Sequence, residues 1–164
     1  SWGNLVSRSL NMSAKYFEGK TPALPEGWAE RENTLRTIAQ GLEERYAACM
    51  DVFDYVGAKD AIMELVHAAN HYIEDTAPWS VAKDPARADE LEQIITNLLE
   101  SIRICAHLFE PFMPETSAEV LRRLSLESEL NCDDLAAACT WGGLVGEVSV
   151  TKGSALFPRL ATKK

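Results

Sequence analysis

Asn4 and Arg8 stand four residues apart in GNLVSRS. On a helix that spacing puts both side chains on one face, one turn from each other. Asparagine offers a donor and an acceptor at its tip, and arginine a planar fork of donors. The two groups match the edge of a nucleobase better than they match each other. A second set lies in NHYIEDTAPWSVAK, from Asn70 to Lys83. There Trp79 follows Pro78, whose ring fixes the backbone direction at a helix end. An indole held in that way can stack on an unpaired base, worth on the order of 1–3 kcal/mol by alanine substitution. Single-stranded loops of RNA are read by stacking combined with hydrogen bonds to base edges. Asn4, Arg8 and Trp79 therefore make sense together if the fold brings the first helix beside the end of the third. Each also has an ordinary reading. Spacing alone favours a solvated helix face for Asn4 and Arg8, and a packed anchor for Trp79.

Other chemistries find less support. No GxGxxG, GxxxxGK[ST] or GxSxG pattern occurs. The adjacent carboxylates Glu43 with Glu44, and Asp133 with Asp134, point apart on a helix and read as surface and cap residues. A di-metal bundle needs inward carboxylates and Glu-x-x-His pairs on facing helices. Glu64 to His67 supplies one such tetrad, with no second copy. His67 and His71 share a helix face without an evident third ligand, so no metal is expected. The run NMSAK, Asn11 to Lys15, superficially resembles a synthetase signature loop, but it sits inside an amphipathic helix without a phosphate cradle. Cys49, Cys105, Cys132 and Cys139 form no CxxC pair. Cys49 and Cys105 fall on apolar faces and read as small hydrophobes in a reduced, cytoplasmic setting.

The elements that must position these residues are helical. Residues 2–17 form a first helix with Leu5, Leu10, Met12, Tyr16 and Phe17 as core candidates. A second is expected from Trp28 to Tyr55, through Leu35, Ile38, Leu42, Tyr46, Cys49 and Phe53, and ended by Gly57. A third runs from Ala58 to Asp75 on Ile62, Leu65, Val66, Ala69, Tyr72 and Ile73. Asp84 and Pro85 then supply a cap and first-turn proline for a fourth helix reaching Glu110. Pro111 and Pro114 precede a fifth, 115–124. The pattern predicts an all-α antiparallel bundle of about five helices, residues 1–126. Residues 127–164 read as a short helix through Ala138 and an extended, glycine-rich return tail that packs on the bundle.

The chain has 164 residues, 16 basic and 25 acidic, for a net charge of −9. That length suits one core. The acidic balance argues against a general nucleic-acid coat protein, whose binding rests on counterion release by a basic surface. It leaves room for a local site that reads a few exposed bases. No apolar run is long enough to span a bilayer, and no signal peptide is visible. A first residue other than Met, with helical periodicity starting at once, reads as a piece of a longer chain.

Three stretches, taken in order, resemble a known family. GNLVSR, then AANHYIEDTAPWSVAKD, then a long helix ending HLFEPFMPETSAEVLRRL are similar to the anticodon-binding domain of methionyl-tRNA synthetase. The C-terminal WGGLVGEVSVTKGSALFPRL fits the same family, in which such a stretch folds back toward the catalytic domain. The resemblance covers nearly the whole chain and reverses the odds at Trp79 toward a stacking platform.

The resemblance implies recognition of the methionine anticodon, CAU. It places Asn4 and Arg8 against anticodon bases and Trp79 beneath one of them, with Pro78 setting its pose. Asn70 and Tyr72 would hold the helix end, and the return segment would run from Trp141 to Arg159. Lys15, Lys83 and Arg87 are the candidate phosphate contacts. The partners implied are the anticodon loop of methionine tRNA and the catalytic domain of the full-length chain, with no membrane. The HIGH-type and KMSKS-type loops and the zinc-bearing insertion are absent here. This chain alone should therefore not make methionyl-adenylate and needs no cofactor. ATP, Mg and Zn would belong to the catalytic domain of the whole ligase. Two rival classes remain: the bundle of another class I synthetase, such as the leucyl, valyl or cysteinyl type, and a helical protein-interaction module without an RNA role.

Overall fold

A computed structural model describes residues 1–158. Arg159, the expected end of the return segment, and residues 160–164 lie outside them. The described residues hold α1 (Trp2–Tyr16), α2 (Thr34–Ala39), α3 (Leu42–Asp51), α4 (Tyr55–Thr76), α5 (Pro78–Val81), α6 (Ala88–Phe109), α7 (Pro114–Arg123) and α8 (Leu135–Ala138). One isolated bridge, between Lys20 and Ser149, is their only β pairing. The all-α bundle is thus as the periodicity indicates. Among the described residues no helix is long and apolar enough to cross a membrane.

The central element is α6, in which every residue from Ile94 to Phe109 is buried. A helix buried on every side, its charged Glu100 and Arg103 included, must be wrapped by others. Antiparallel α4 lies along it: Tyr72 meets Asn97 near one end, and Tyr55 meets Phe112 at the other. The stripe Ile62, Leu65, Val66, Ala69 and Ile73 closes that contact. Leu5, Val6 and Leu10 of α1 are also fully buried, while Met12, Tyr16 and Phe17 pack at its margin.

The expected single helix from Trp28 to Tyr55 is broken. Residues 25–31 form turns, Asn33 caps α2 through its side chain, and Gly41 adopts φ 71 before α3 starts. The left-handed glycine reverses the chain between two short helices. Leu35, Leu42 and Tyr46 still reach the core. Phe53 does not, because α3 ends at Asp51 and Phe53 is exposed with φ 60. Gly57 is no terminator either. It sits in the first turn of α4, where its N–H donates to the cap carboxylate of Asp54 at 2.9 Å. Asp84 caps a short 3₁₀ turn at Pro85–Arg87, and α6 proper begins after it.

The segment after α7 is sewn to the bundle by buried charge. Arg103 makes a two-pronged pair with Glu100, both contacts 2.8 Å, and donates to the Thr140 carbonyl at 2.8 Å and to that of Ala138. Glu100 accepts in turn from the N–H groups of Gly142 and Gly143 at 2.7 and 3.0 Å. A Cβ on Gly143 would lie 2.5 Å from Arg103 Cζ, so only glycine lets the chain pass over the guanidinium. Further along, Thr21 bonds Val145 and Val148, and Arg123 bonds the Lys152 carbonyl. Cys105 and Cys139 are buried, and burial pushes the Cys139 thiol up to about 12, so both are inert apolar fillers.

Candidate functional site

The site forms along the seam between α1 and α4. The two helices run parallel in register: Asn4 Nδ2 donates to Asn70 Oδ1 at 3.1 Å, and Arg8 NH1 lies 2.7 Å from Glu74 Oε1. Each step is four residues on both helices, which keeps both pairs on facing stripes. Glu74 stands in the last turn of α4, which ends at Thr76.

Asn70 is a brace. Its Nδ2 donates to the Val66 carbonyl at 2.8 Å and to the Ser1 carbonyl at 3.3 Å, tying the start of α1 to α4. Its oxygen holds the Asn4 amide, while Asn4 itself is exposed. Tyr72 is half-buried on the other side of α4. Its hydroxyl accepts from Asn97 at 3.1 Å and its carbonyl from Thr76 Oγ1 at 2.6 Å. Burial raises the Tyr72 pKa above its usual value, so the phenol stays neutral. Asn97 is itself bonded by Gln93, and Gln93 by Arg31.

The corner after α4 turns on Ala77, which adopts φ 42 and ψ 62. The left-handed region disfavours a residue with a Cβ by about 1–2 kcal/mol, so the surroundings hold it there. Pro78 then opens α5 at the position where proline costs no hydrogen bond. Ser80 N–H returns to the Ala77 carbonyl at 2.7 Å and Ala82 N–H to that of Pro78 at 2.9 Å. Pro78 and Val81 are buried against the bundle, and the Trp79 side of the turn is left 42% exposed. The indole is thus mounted on the core without being part of it.

Asn4, Arg8 and Asn70 therefore gather at one seam, Trp79 stands past the end of α4 on the turn that packs against α6, and Tyr72 braces α4 from the α6 side. The candidate phosphate contacts are less uniform. Lys15 and Lys83 are exposed, with the Lys15 ammonium 5.2 Å from the Tyr16 ring. Arg87 is held by Glu90 through two contacts of 2.7 Å, so its charge is already matched. Glu74 is the participant that residue spacing did not single out. Its signal was present, since Asn70 and Glu74 repeat the four-residue interval of Asn4 and Arg8. His67 and His71 face a groove with Asp75, but His71 Nδ1 is engaged with Asp75 Oδ2 at 2.7 Å. No group of three metal-binding side chains occurs among the described residues.

Comparison with known proteins follows the same lines. Residues 24–161 match the family model described as the anticodon binding domain of methionyl tRNA ligase. A methionine–tRNA ligase of Streptococcus pneumoniae is 40% identical over 159 residues, covering 96% of this chain and 23% of the relative. One from Bacillus subtilis is 34% identical over 163 residues, covering 99% and 24%. The chain thus spans about a quarter of the length of these curated relatives. Among solved structures, Mycobacterium tuberculosis methionyl-tRNA synthetase bound by methionyl-adenylate superposes with a TM-score of 0.81 at 27% identity, over 95% of this chain and 30% of that one. Its free-state structure gives 0.80 at 26% identity, over 98% and 32%. With the family model matching well over half its length, the chain belongs to the family of anticodon-binding domains of methionyl-tRNA ligase.

Proposed function

We propose that this domain selects methionine tRNA by reading its CAU anticodon. Splayed bases are hydrogen-bonded by Asn4 and Arg8 and stacked on Trp79, with Pro78 and Ala77 setting the indole's pose. Asn70 and Tyr72 keep the seam and the helix end in place. The observation that carries the reading is the exposed Trp79, mounted on buried Pro78 and Val81 just past the end of α4, whose last turn holds Glu74, the partner of Arg8. A tryptophan of that exposure gives little to the core and has a free face for a base.

Lys15 and Lys83 supply local phosphate contact, and Arg87 joins them by exchanging Glu90 for a phosphate. With a net charge of −9, affinity from so few contacts is modest and falls with salt. Residues 1–126 are the recognition unit, and residues 127–164 the return segment. The rest of the longer protein carries the ligase chemistry, with ATP, Mg and Zn, in the cytoplasm. This domain itself is non-catalytic and takes no cofactor.

The test is a low-salt titration with two anticodon stem-loop hairpins, one carrying CAU and one with its first anticodon base changed. Preference for CAU that disappears in Trp79→Ala supports the reading. Equal weak binding to both hairpins by the wild-type chain rejects it.

A further inference from the structure

Asn97 stands on α6 with no surface exposed, and a buried carboxamide has to find partners for both its donor and its acceptor. It finds both. Oδ1 accepts from Gln93 Nε2 at 2.9 Å, and Nδ2 donates to the Tyr72 hydroxyl at 3.1 Å. Gln93 is held in turn by Arg31 NH1 at 3.0 Å, and Arg31 by the Glu26 carbonyl at 3.1 Å and by Asp89 at 3.3 Å. With its oxygen committed to Gln93, the amide keeps its Nδ2 side toward Tyr72. Between Ile94, Ile95, Leu98 and Leu99, all buried, a carboxamide adds nothing to packing that leucine would not. What it adds is direction.

Tyr72 is where this chain of hydrogen bonds meets the corner that carries Trp79. Its carbonyl accepts from Thr76 Oγ1 at 2.6 Å, and Thr76 is the last residue of α4. Ala77 follows with φ 42 and ψ 62, in the region that costs a residue with a Cβ about 1–2 kcal/mol. Such a residue persists where its surroundings over-determine it. After the corner the fastening is Pro78 and Val81, buried as α5 packs on α6. Before it, Ile73 is buried and Tyr72 is bonded to Asn97. Apolar burial has no preferred direction. The hydrogen bond does, and it sets how far the last turn of α4 is rotated against α6.

Resting on the anticodon reading above, we propose that Asn97 is a positioning residue for base recognition: through Tyr72 it fixes the rotation of the α4 end, and with it the pose of the Trp79 indole. Asn97 itself touches no RNA. It acts on the platform alone, and an indole turned away from its base forfeits the stack. Gln93 and Arg31 act one and two steps further back, by orienting the amide.

The test uses the full-length protein carrying Asn97→Leu with Tyr72→Phe. Removing both partners strands neither, and Gln93 is partly open to water, so the fold stands. Tyr72→Phe alone, which loses one hydroxyl, is the second variant. Each is made with and without Trp79→Ala, and the indoles carry a fluorine label read by NMR, the Trp79 resonance being the one that Trp79→Ala lacks. In the pair variant the Trp79 resonance should move while the other indole resonances stay in place. Affinity for the CAU stem-loop should fall at least about fivefold, the low end of the worth of a stacked base. With Trp79 already replaced by alanine the fall should be less than about twofold, because a residue that acts through the indole has nothing left to act on.

A Trp79 resonance that stays in place overturns the positioning role and leaves the anticodon reading standing. An equal loss of affinity with and without Trp79 overturns it too, since Asn97 then acts on binding by another route. A shift shared by all the indoles marks a general loss of structure and also overturns it. Unchanged stem-loop affinity in Trp79→Ala alone overturns the anticodon reading, and the Trp79 resonance then decides by itself whether Asn97 sets the pose of the indole.

Discussion

Arg8 and Glu74 face each other across α1 and α4, with 2.7 Å between NH1 and Oε1, at 31% and 59% side-chain exposure. A pair so open to water adds about 0–1 kcal/mol to stability, so its interest lies in the surface it makes. On the proposed reading Glu74 occupies the fork that a base edge would use, and it sets a negative charge against Arg8. Removing that charge by Glu74→Gln frees Arg8. We expect stability to change by less than about 1 kcal/mol, with affinity rising for both the CAU hairpin and the altered one and the preference between them narrowing. Arg8→Ala should instead cost the CAU hairpin about 1–3 kcal/mol, the worth of a good two-pronged base contact. Parallel titrations of the three proteins at one salt concentration check both outcomes.

Trp79 and Ala77 separate pose from platform. Trp79→Ala should cost about 1–3 kcal/mol of hairpin affinity, with the domain still folding cooperatively in urea because the residue is 42% exposed and lies outside the buried core. Ala77→Gly relieves the left-handed backbone and should stabilise the fold by up to about 1 kcal/mol, partly offset by the greater freedom of glycine in the unfolded chain. The same change loosens the corner that aims the indole, so hairpin affinity should fall while stability rises. Urea unfolding with matched hairpin titration shows whether the two quantities move in opposite directions.

Periodicity read the bundle well where a helix keeps one buried stripe, as α4 does through Ile62, Leu65, Val66, Ala69 and Ile73. It misread 28–55 for the same reason. Leu35 and Leu42, seven residues apart, both reach the core on either side of the Gly41 break, so the stripe survives an interruption that only the backbone reveals. Phe53 continued the stripe in spacing but lies past the end of α3. At the candidate site, residue type and spacing alone favour a solvated face for Asn4 and Arg8 and a packed anchor for Trp79, and it is the family resemblance that singles them out. Glu74 carries the same four-residue interval from Asn70, but its pairing with Arg8 needs the register between two helices, 66 residues apart at that pair. The Arg103–Glu100 pair was equally hidden, since nothing local distinguishes an i,i+3 pair on a helix surface from one with side chains 2% and 0% exposed.

That buried pair predicts how the return segment is held. Glu100→Gln leaves Arg103 buried with reduced compensation and weakens the acceptor of the Gly142 and Gly143 amides. Breaking a buried pair in this way costs about 3–5 kcal/mol. We expect a matching loss in urea stability and faster hydrogen exchange at Gly142 and Gly143. Replacing both partners with methionine removes the stranded charge, so much of the stability should return while exchange at the two glycines stays fast. If the double replacement were as unstable as Glu100→Gln, the cost would lie in lost packing and not in the uncompensated charge.

The second fastening of the segment is pH-dependent. Glu119 accepts from Arg122 at 2.8 Å and from Arg123 Nε at 2.7 Å, and these hydrogen bonds hold its carboxyl down to about 2 from an ordinary 4.5. Arg123 in turn bonds the Lys152 carbonyl at 3.0 Å. A carboxyl with a depressed pKa in the folded state adds stability that is complete above its unfolded pKa and is lost as pH falls through its folded one. The contribution of Glu119 should therefore be full above pH 4.5 and decline toward pH 2. It is modest, because a third of the side chain is exposed and water screens the pair. Glu119→Gln should lower the urea midpoint slightly at neutral pH and flatten its fall between pH 4.5 and 2, and hydrogen exchange at Thr151, whose N–H bonds the Arg123 carbonyl, should lose its pH-linked rise over the same range.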